Sequence, residues 1–124
     1  MELSNQMLIK ILPQYIDGKI TPYPQPEVPT TYSRKLTKDD GALDIAKPAD
    51  QLEREIRAFA GWPKSKITLF GHTVIIKKAR VVTSQTDGAL VIACANNSYL
   101  EILELTAPSG RTVSGADFLR GYKK

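Results

Sequence analysis

Prolines at positions 22, 24, 26 and 29 divide this chain more sharply than any other feature. Each ring fixes φ at about −65°, removes a backbone donor and disfavours helix at the residue before it. The run from Lys19 to Thr31 therefore fits neither a helix nor a central strand. Its spacing predicts a stiff, polyproline-like arm that holds two bodies at a set distance. A ligand for a proline-recognition module is the lesser reading of the same run.

Before the arm, Met7, Leu8, Ile11, Leu12, Tyr15 and Ile16 recur at three- and four-residue spacing, which predicts a helix over Ser4–Ile16. Ser4 is placed to cap its start and Gly18 to end it. An apolar stripe of this kind needs a surface to pack on, and a further domain upstream is the expected partner. The chain is thus read as residues 1–33, helix plus proline-rich linker, and residues 34–124, a compact domain.

In the second part, Pro48–Ala60 reads as a helix with Leu52, Ile56 and Phe59 on one face, stopped by Gly61-Trp62-Pro63. From Lys66 onward the pattern shortens to strands. Ile67–Phe70 is one, with Gly71-His72 as a two-residue turn. Thr73–Val82 is rich in β-branched residues, and Ala89–Ala95 and Tyr99–Thr106 come next, joined by Asn96-Asn97-Ser98. Ser114 is placed to cap a short last helix from Gly115 to Leu119. Four or five short strands with flanking helices predict a mainly β fold, a small OB-fold-like barrel with a partial Greek-key path.

Charge separates along the same line. Residues 1–62 carry 8 basic and 9 acidic side chains, a net −1, and residues 63–124 carry 9 and 4, a net +5. An excess confined to one half points to a polyanionic partner. The candidate phosphate contacts are Arg34 and Lys35 after the arm, Lys64 and Lys66 at the first strand, and Lys77, Lys78 and Arg80 in the second. Arg111, Arg120, Lys123 and Lys124 close the chain. Strand alternation predicts that Lys77 and Lys78 face opposite sides and that Lys78 and Arg80 share one. Edge-strand lysines that block aggregation are the competing reading. Aromatic residues make up only 7% and are not interleaved with these cations, so sequence gives little support for base stacking.

Other chemistry is sparse. With one Cys and one His, an internal disulfide, a multi-Cys cage and a two-His metal site are excluded. Cys94 alternates within an apolar run and reads as a small core residue. His72 reads as an exposed turn residue, and Asp39-Asp40 as a solvated loop. No Gly-rich phosphate loop is present, no nucleophile–base pair can be assembled, and no catalytic residue or metal ligand is assigned. No apolar run approaches the roughly 18–20 residues that span a bilayer, and residues 1–6 carry no basic n-region. A cytoplasmic, membrane-free setting is expected.

Four strings occur in order: Pro24-Gln25-Pro26-Glu27, Thr30–Leu36 (Thr-Thr-Tyr-Ser-Arg-Lys-Leu), Ile56-Arg57-Ala58-Phe59 followed by Trp62-Pro63, and Gly115–Gly121 (Gly-Ala-Asp-Phe-Leu-Arg-Gly). Together they resemble the linker and C-terminal domain of the methionyl-tRNA formyltransferases, over the whole chain. Two departures are visible: Gly61 stands before Trp62 where the family usually has Pro, with Lys64-Ser65 after Pro63, and the end is shortened to Tyr122-Lys123-Lys124. The resemblance implies an OB-like C-terminal barrel whose basic surface helps hold initiator methionyl-tRNA. It also implies a Rossmann-like N-terminal domain with the catalytic residues and 10-formyltetrahydrofolate. None of that domain's motifs is in this chain, which is expected to hold no cofactor, to lack formyl transfer activity by itself and to be a monomer. Arg57, Phe59, Trp62 and Pro63 match best and are expected to be structural, Phe59 and Trp62 anchoring the helix to the barrel. Two alternatives stay open. One is the C-terminal barrel of another folate-dependent formyltransferase or formyltetrahydrofolate hydrolase, without tRNA binding. The other is a barrel that only stabilises its partner domain.

Overall fold

The computed structural model describes residues 2–28 and 31–123. Pro29 of the arm, Thr30 of the resemblance and the terminal cation Lys124 lie outside the described residues. The chain forms two units, Met1–Ser33 and Arg34–Lys124.

In the first unit, helix α1 spans Glu2–Ile16. It tolerates Pro13 in its interior, at the loss of one ladder hydrogen bond. Its end is a Schellman motif. Gly18 adopts φ 69°, its N–H donates to the Tyr15 carbonyl at 3.1 Å, and the Lys19 N–H reaches the Gln14 carbonyl at 2.9 Å. None of the described residues of α1 is buried. Residues 21–28 form no regular element, as alternating prolines require.

The second unit is mainly β with flanking helices. A single 3-10 turn, Lys38–Gly41, leads toward helix α2, Ala49–Ala58. Five antiparallel strands come after it: β1 Ser65–Leu69, β2 His72–Val82, β3 Val91–Cys94, β4 Ser98–Thr106 and β5 Thr112–Ser114. Helix α3, Gly115–Tyr122, ends the fold. The sheet order is β1-β2-β4, with β3 and β5 sharing the far edge of β4, one at each end. The sheet curls into a half-barrel. Residues 42–48 tie its outer margins: Ala42 bridges to Lys66 of β1, and Pro48 bridges to Ala95 just past β3.

Two turns correct the sequence reading or refine it. The β1–β2 register pairs Leu69 with His72, so the loop is Phe70-Gly71, one residue earlier than expected. Both have positive φ, 51° and 79°, the primed geometry that suits strand twist. His72 belongs to β2, not to the turn. At the β3–β4 connection, Asn96 and Asn97 take φ of 59° and 52°, a conformation that Asn tolerates better than most residues. Strand β5 is an addition to the expected set: Thr112-Val113-Ser114 is too short to show a period.

The core lies between the concave sheet face and the two helices. Leu52 and Ile56 of α2 meet Val74 and Ile76 of β2, Leu100, Ile102 and Leu105 of β4, and Phe118 of α3. Each such buried side chain contributes about 1.5–3 kcal/mol relative to exposure. Gly115 makes the close seating of α3 possible, because a Cβ there would stand 1.9 Å from the Ile102 carbonyl oxygen. Cys94 is half-buried against this core, and burial pushes its thiol above the ordinary value.

Candidate nucleic-acid interface

Strand β2 is irregular where its cations stand. Ile76 pairs with Leu105, Lys78 with Glu104 and Ala79 with Ile102, so the ladder slips on both sides of Lys78. The irregularity breaks the alternation that would send Lys77 and Lys78 to opposite faces. Both ammonium groups instead reach the Glu104 carboxylate, each at 3.6 Å. Lys77 Nζ also donates to Thr112 Oγ1 of β5 at 3.0 Å. The expectation of opposite faces is therefore corrected.

Lys64 borders the same groove, together with Ala60, Ile75, Ile76, Lys77, Lys78, Glu104 and Thr106, enclosing about 390 Å³. Its backbone is left-handed, φ 70°, after the cis Trp62–Pro63 peptide. Gly41 admits it there, since a Cβ on Gly41 would lie 2.2 Å from the Lys64 carbonyl oxygen. Three lysines and one carboxylate thus share one groove, a net of +2. Both lysines are exposed and Glu104 is half-buried; at 3.6 Å each such pair contributes about 0–1 kcal/mol.

The remaining predicted cations are placed singly. Arg80 Nε donates to Glu101 at 2.8 Å, and that bond and charge raise the Arg80 pKa. Arg34 is bidentate on Asp40, whose carboxylate also accepts from the N–H and hydroxyl of Thr37. These contacts, the Arg34 bond first, hold Asp40 well below the ordinary carboxylate range. Asp40 is therefore an organised cap rather than a free loop carboxylate. Arg120 pairs with Asp117, which also bonds Ser114 and is lowered, by Ser114 first and then Arg120. Lys35, Arg111 and Lys123 are exposed, and Lys66 is half-buried in β1 opposite Ile75. The β2 groove brings together Lys64, Lys77 and Lys78 and does not include Arg34, Lys35, Arg111, Arg120 or Lys123. Sequence reasoning missed Glu104, Glu101 and Thr112, because only the cross-strand register reveals what stands opposite a cation.

Of the four structural candidates, Arg57 pairs with Glu53 one turn back at 3.2 Å, Phe59 is half-buried and Pro63 is buried. Trp62 is 56% exposed. Neither Trp62 nor Phe59 is among the side chains packed against the core, so the expected anchoring of α2 through these two rings is not seen. Among the described residues no cluster of His, Cys, Asp and Glu is arranged to hold a metal, and no helix is long and apolar enough to cross a membrane.

The family described as "Formyl transferase, C-terminal domain" matches residues 35–123. The methionyl-tRNA formyltransferase of Myxococcus xanthus is 36% identical over 98% of this chain and 41% of its own length. That of Halorhodospira halophila is 35% identical over 94% and 41%. The chain therefore spans about two fifths of the length of these relatives. Among solved structures, HypX from Aquifex aeolicus in complex with tetrahydrofolic acid superimposes with a TM-score of 0.58 at 16% identity, covering 96% of this chain and 23% of that one. At that identity the likeness concerns the fold alone.

Proposed function

Because the chain belongs to the formyl transferase C-terminal domain family, we propose that it is the tRNA-holding domain of a methionyl-tRNA formyltransferase. In this reading it positions initiator methionyl-tRNA in the cytoplasm for N-formylation during translation initiation. The observation that carries the proposal is the β2 irregularity, which turns two adjacent lysines to one side and joins them with Lys64 in one groove. Phosphate contacts of this kind orient a nucleic acid without reading its sequence. They suit a domain that holds a substrate for chemistry done elsewhere.

That chemistry is assigned to an N-terminal Rossmann-like domain. Two observations support its existence: the relatives are more than twice as long as this chain, and α1 exposes Leu3, Met7, Leu8, Ile9, Leu12 and Ile16. A helix with such a surface packs on another body, and we assign that body to the N-terminal domain. The formyl donor, 10-formyltetrahydrofolate, belongs there too. The described residues here do not fit it: the buried side-chain polar atom without a partner is Ser65 Oγ, a single hydroxyl 1% exposed. Formyl transfer by this chain alone is not expected.

The test is a titration of the 124-residue chain with tRNA across a salt series. Binding should be weak and salt-sensitive. Lys77→Gln with Lys78→Gln should flatten the log–log slope by about 0.7–0.9 for each phosphate no longer neutralised. A flat titration at low salt removes the proposal and leaves a barrel that only stabilises its partner domain.

A further inference from the structure

The β1–β2 turn places a bulky aromatic where a small polar residue would sit with less strain. Phe70 occupies the first position of a primed turn with φ 51°, where Asn or Asp is preferred and a large side chain is an outlier. Backbone strain of this kind tends to persist where the side chain is used. The ring is 44% exposed.

It does not stand alone. Its centroid is 6.2 Å from that of buried Phe118, which stacks on Tyr122 at 4.4 Å and 19°. His72 meets Tyr122 edge-on at 5.0 Å and 76°. Phe70, His72 and Tyr122, with Gly121, border one open concavity. Two residues of the hairpin and one from the far end of the chain thus form a single aromatic shelf, with Phe118 beneath as its support. Phe70 also borders a second groove, which includes Lys123 and Asp87.

The geometry points to a stacking seat for an unpaired nucleobase of an RNA. Three facts favour this occupant. Phe70 and His72 are exposed and border the concavity, and rings so placed suit a flat π-system. The hairpin that carries it, Ser65–Val82, holds Lys66, Lys77, Lys78 and Arg80 and no carboxylate of its own, although Lys77 and Lys78 pair with Glu104 of β4 and Arg80 with Glu101. Lys123, exposed on the flank, has no carboxylate within ion-pair distance among the described residues. The one acid in that groove, Asp87, means that the rings rather than charge supply the attraction at the seat itself. This assignment rests on the RNA reading above, and adds to it a contact of a different kind from the lysine groove.

The experiment compares the full chain with Phe70→Asn, using a single-stranded RNA that carries 2-aminopurine, the same RNA with one abasic site, and a blunt duplex. Asn suits the turn conformation, so the variant should fold at least as well, as circular dichroism and its melting midpoint will report. Wild type should quench 2-aminopurine and prefer the single strand to the duplex. Phe70→Asn and the abasic RNA should each weaken binding at least about fivefold with the salt slope unchanged. His72→Ala should weaken it in the same direction. Binding by wild type that is indifferent to Phe70→Asn and to the abasic site overturns the seat and leaves the lysine groove standing. No binding of any RNA by wild type at low salt overturns both. Concentration-dependent self-association lost in Phe70→Asn, without quenching, overturns the seat in favour of a second copy of the chain.

Discussion

The Ser98 hydroxyl accepts the backbone N–H of Ala49 at 2.8 Å across 49 residues of sequence, and donates to the Ala95 carbonyl at 2.6 Å. Helix α2 begins after Pro48, which has no side-chain acceptor to offer its first turn. The cap is therefore supplied from the β3–β4 turn. Ala49 is fully buried, so water cannot replace the missing partner. Ser98→Ala should cost about 1–3 kcal/mol, read from denaturant midpoints, while Ser98→Thr keeps most of the stability. An unchanged midpoint for Ser98→Ala would sink this account of the cap.

Two glycines of α3 should answer oppositely to alanine. Gly115→Ala places a methyl 1.9 Å from the Ile102 carbonyl oxygen. Helix and sheet must then separate, at a cost of about 1–3 kcal/mol or more. Gly121 has nothing within 4 Å of the same added atom, so Gly121→Ala should add up to about 1 kcal/mol of stability from helix propensity. Thermal melts of the two variants decide the matter, and equal shifts would count against the packing described.

Acid should leave the Arg34–Asp40 cap intact longer than its surroundings. The folded-state pKa of Asp40 is depressed below the ordinary 3.8, through Arg34 first and the Thr37 N–H next. Its stabilising contribution is thus complete above that value and is lost only as pH falls further, toward the folded pKa. Carboxyl NMR should show Asp40 titrating below the ordinary carboxylate range, with the shift reduced in Arg34→Ala, where the two Thr37 bonds remain. An ordinary midpoint in wild type would refute the cap.

Glu104 restrains the lysines it pairs. Glu104→Gln should release Lys77 and Lys78, raise affinity for RNA at low salt, and steepen the salt slope by about 0.7–0.9 for each additional phosphate neutralised. Weaker binding by this variant would show that Glu104 orients the lysines rather than competing for them.

Much of the fold is legible in the sequence because its signals are local. The β-branched run of β2 and the apolar face of α2 at Leu52 and Ile56 require no tertiary knowledge. The family strings also identify the chain correctly. Features decided across strands or between distant segments escape such a reading. The turn at Phe70-Gly71 is displaced by one residue from its expected place because a phenylalanine carries no propensity for left-handed backbone. The slip at Lys78 is invisible because it depends on the Glu104–Ile102 spacing of the opposite strand. The aromatic shelf is hidden because His72 and Tyr122 meet only after folding, so a low aromatic content says little about where the rings gather.

The stretch at 42–48 has one further effect. Its Leu43 N–H donates to the Lys66 carbonyl at 2.8 Å on one margin of the sheet, and its Ile45 and Lys47 carbonyls both accept from Ala95 at 3.2 Å on the other. A single strap that grips both margins makes their local opening one event rather than two. The amide hydrogens of Leu43 and Ala95 should then exchange with solvent at a common free energy, and neither side of the sheet can fray while the other stays shut. The domain behaves as a hooped vessel: its walls are short strands, and its coherence depends on a band that is itself hardly strand at all.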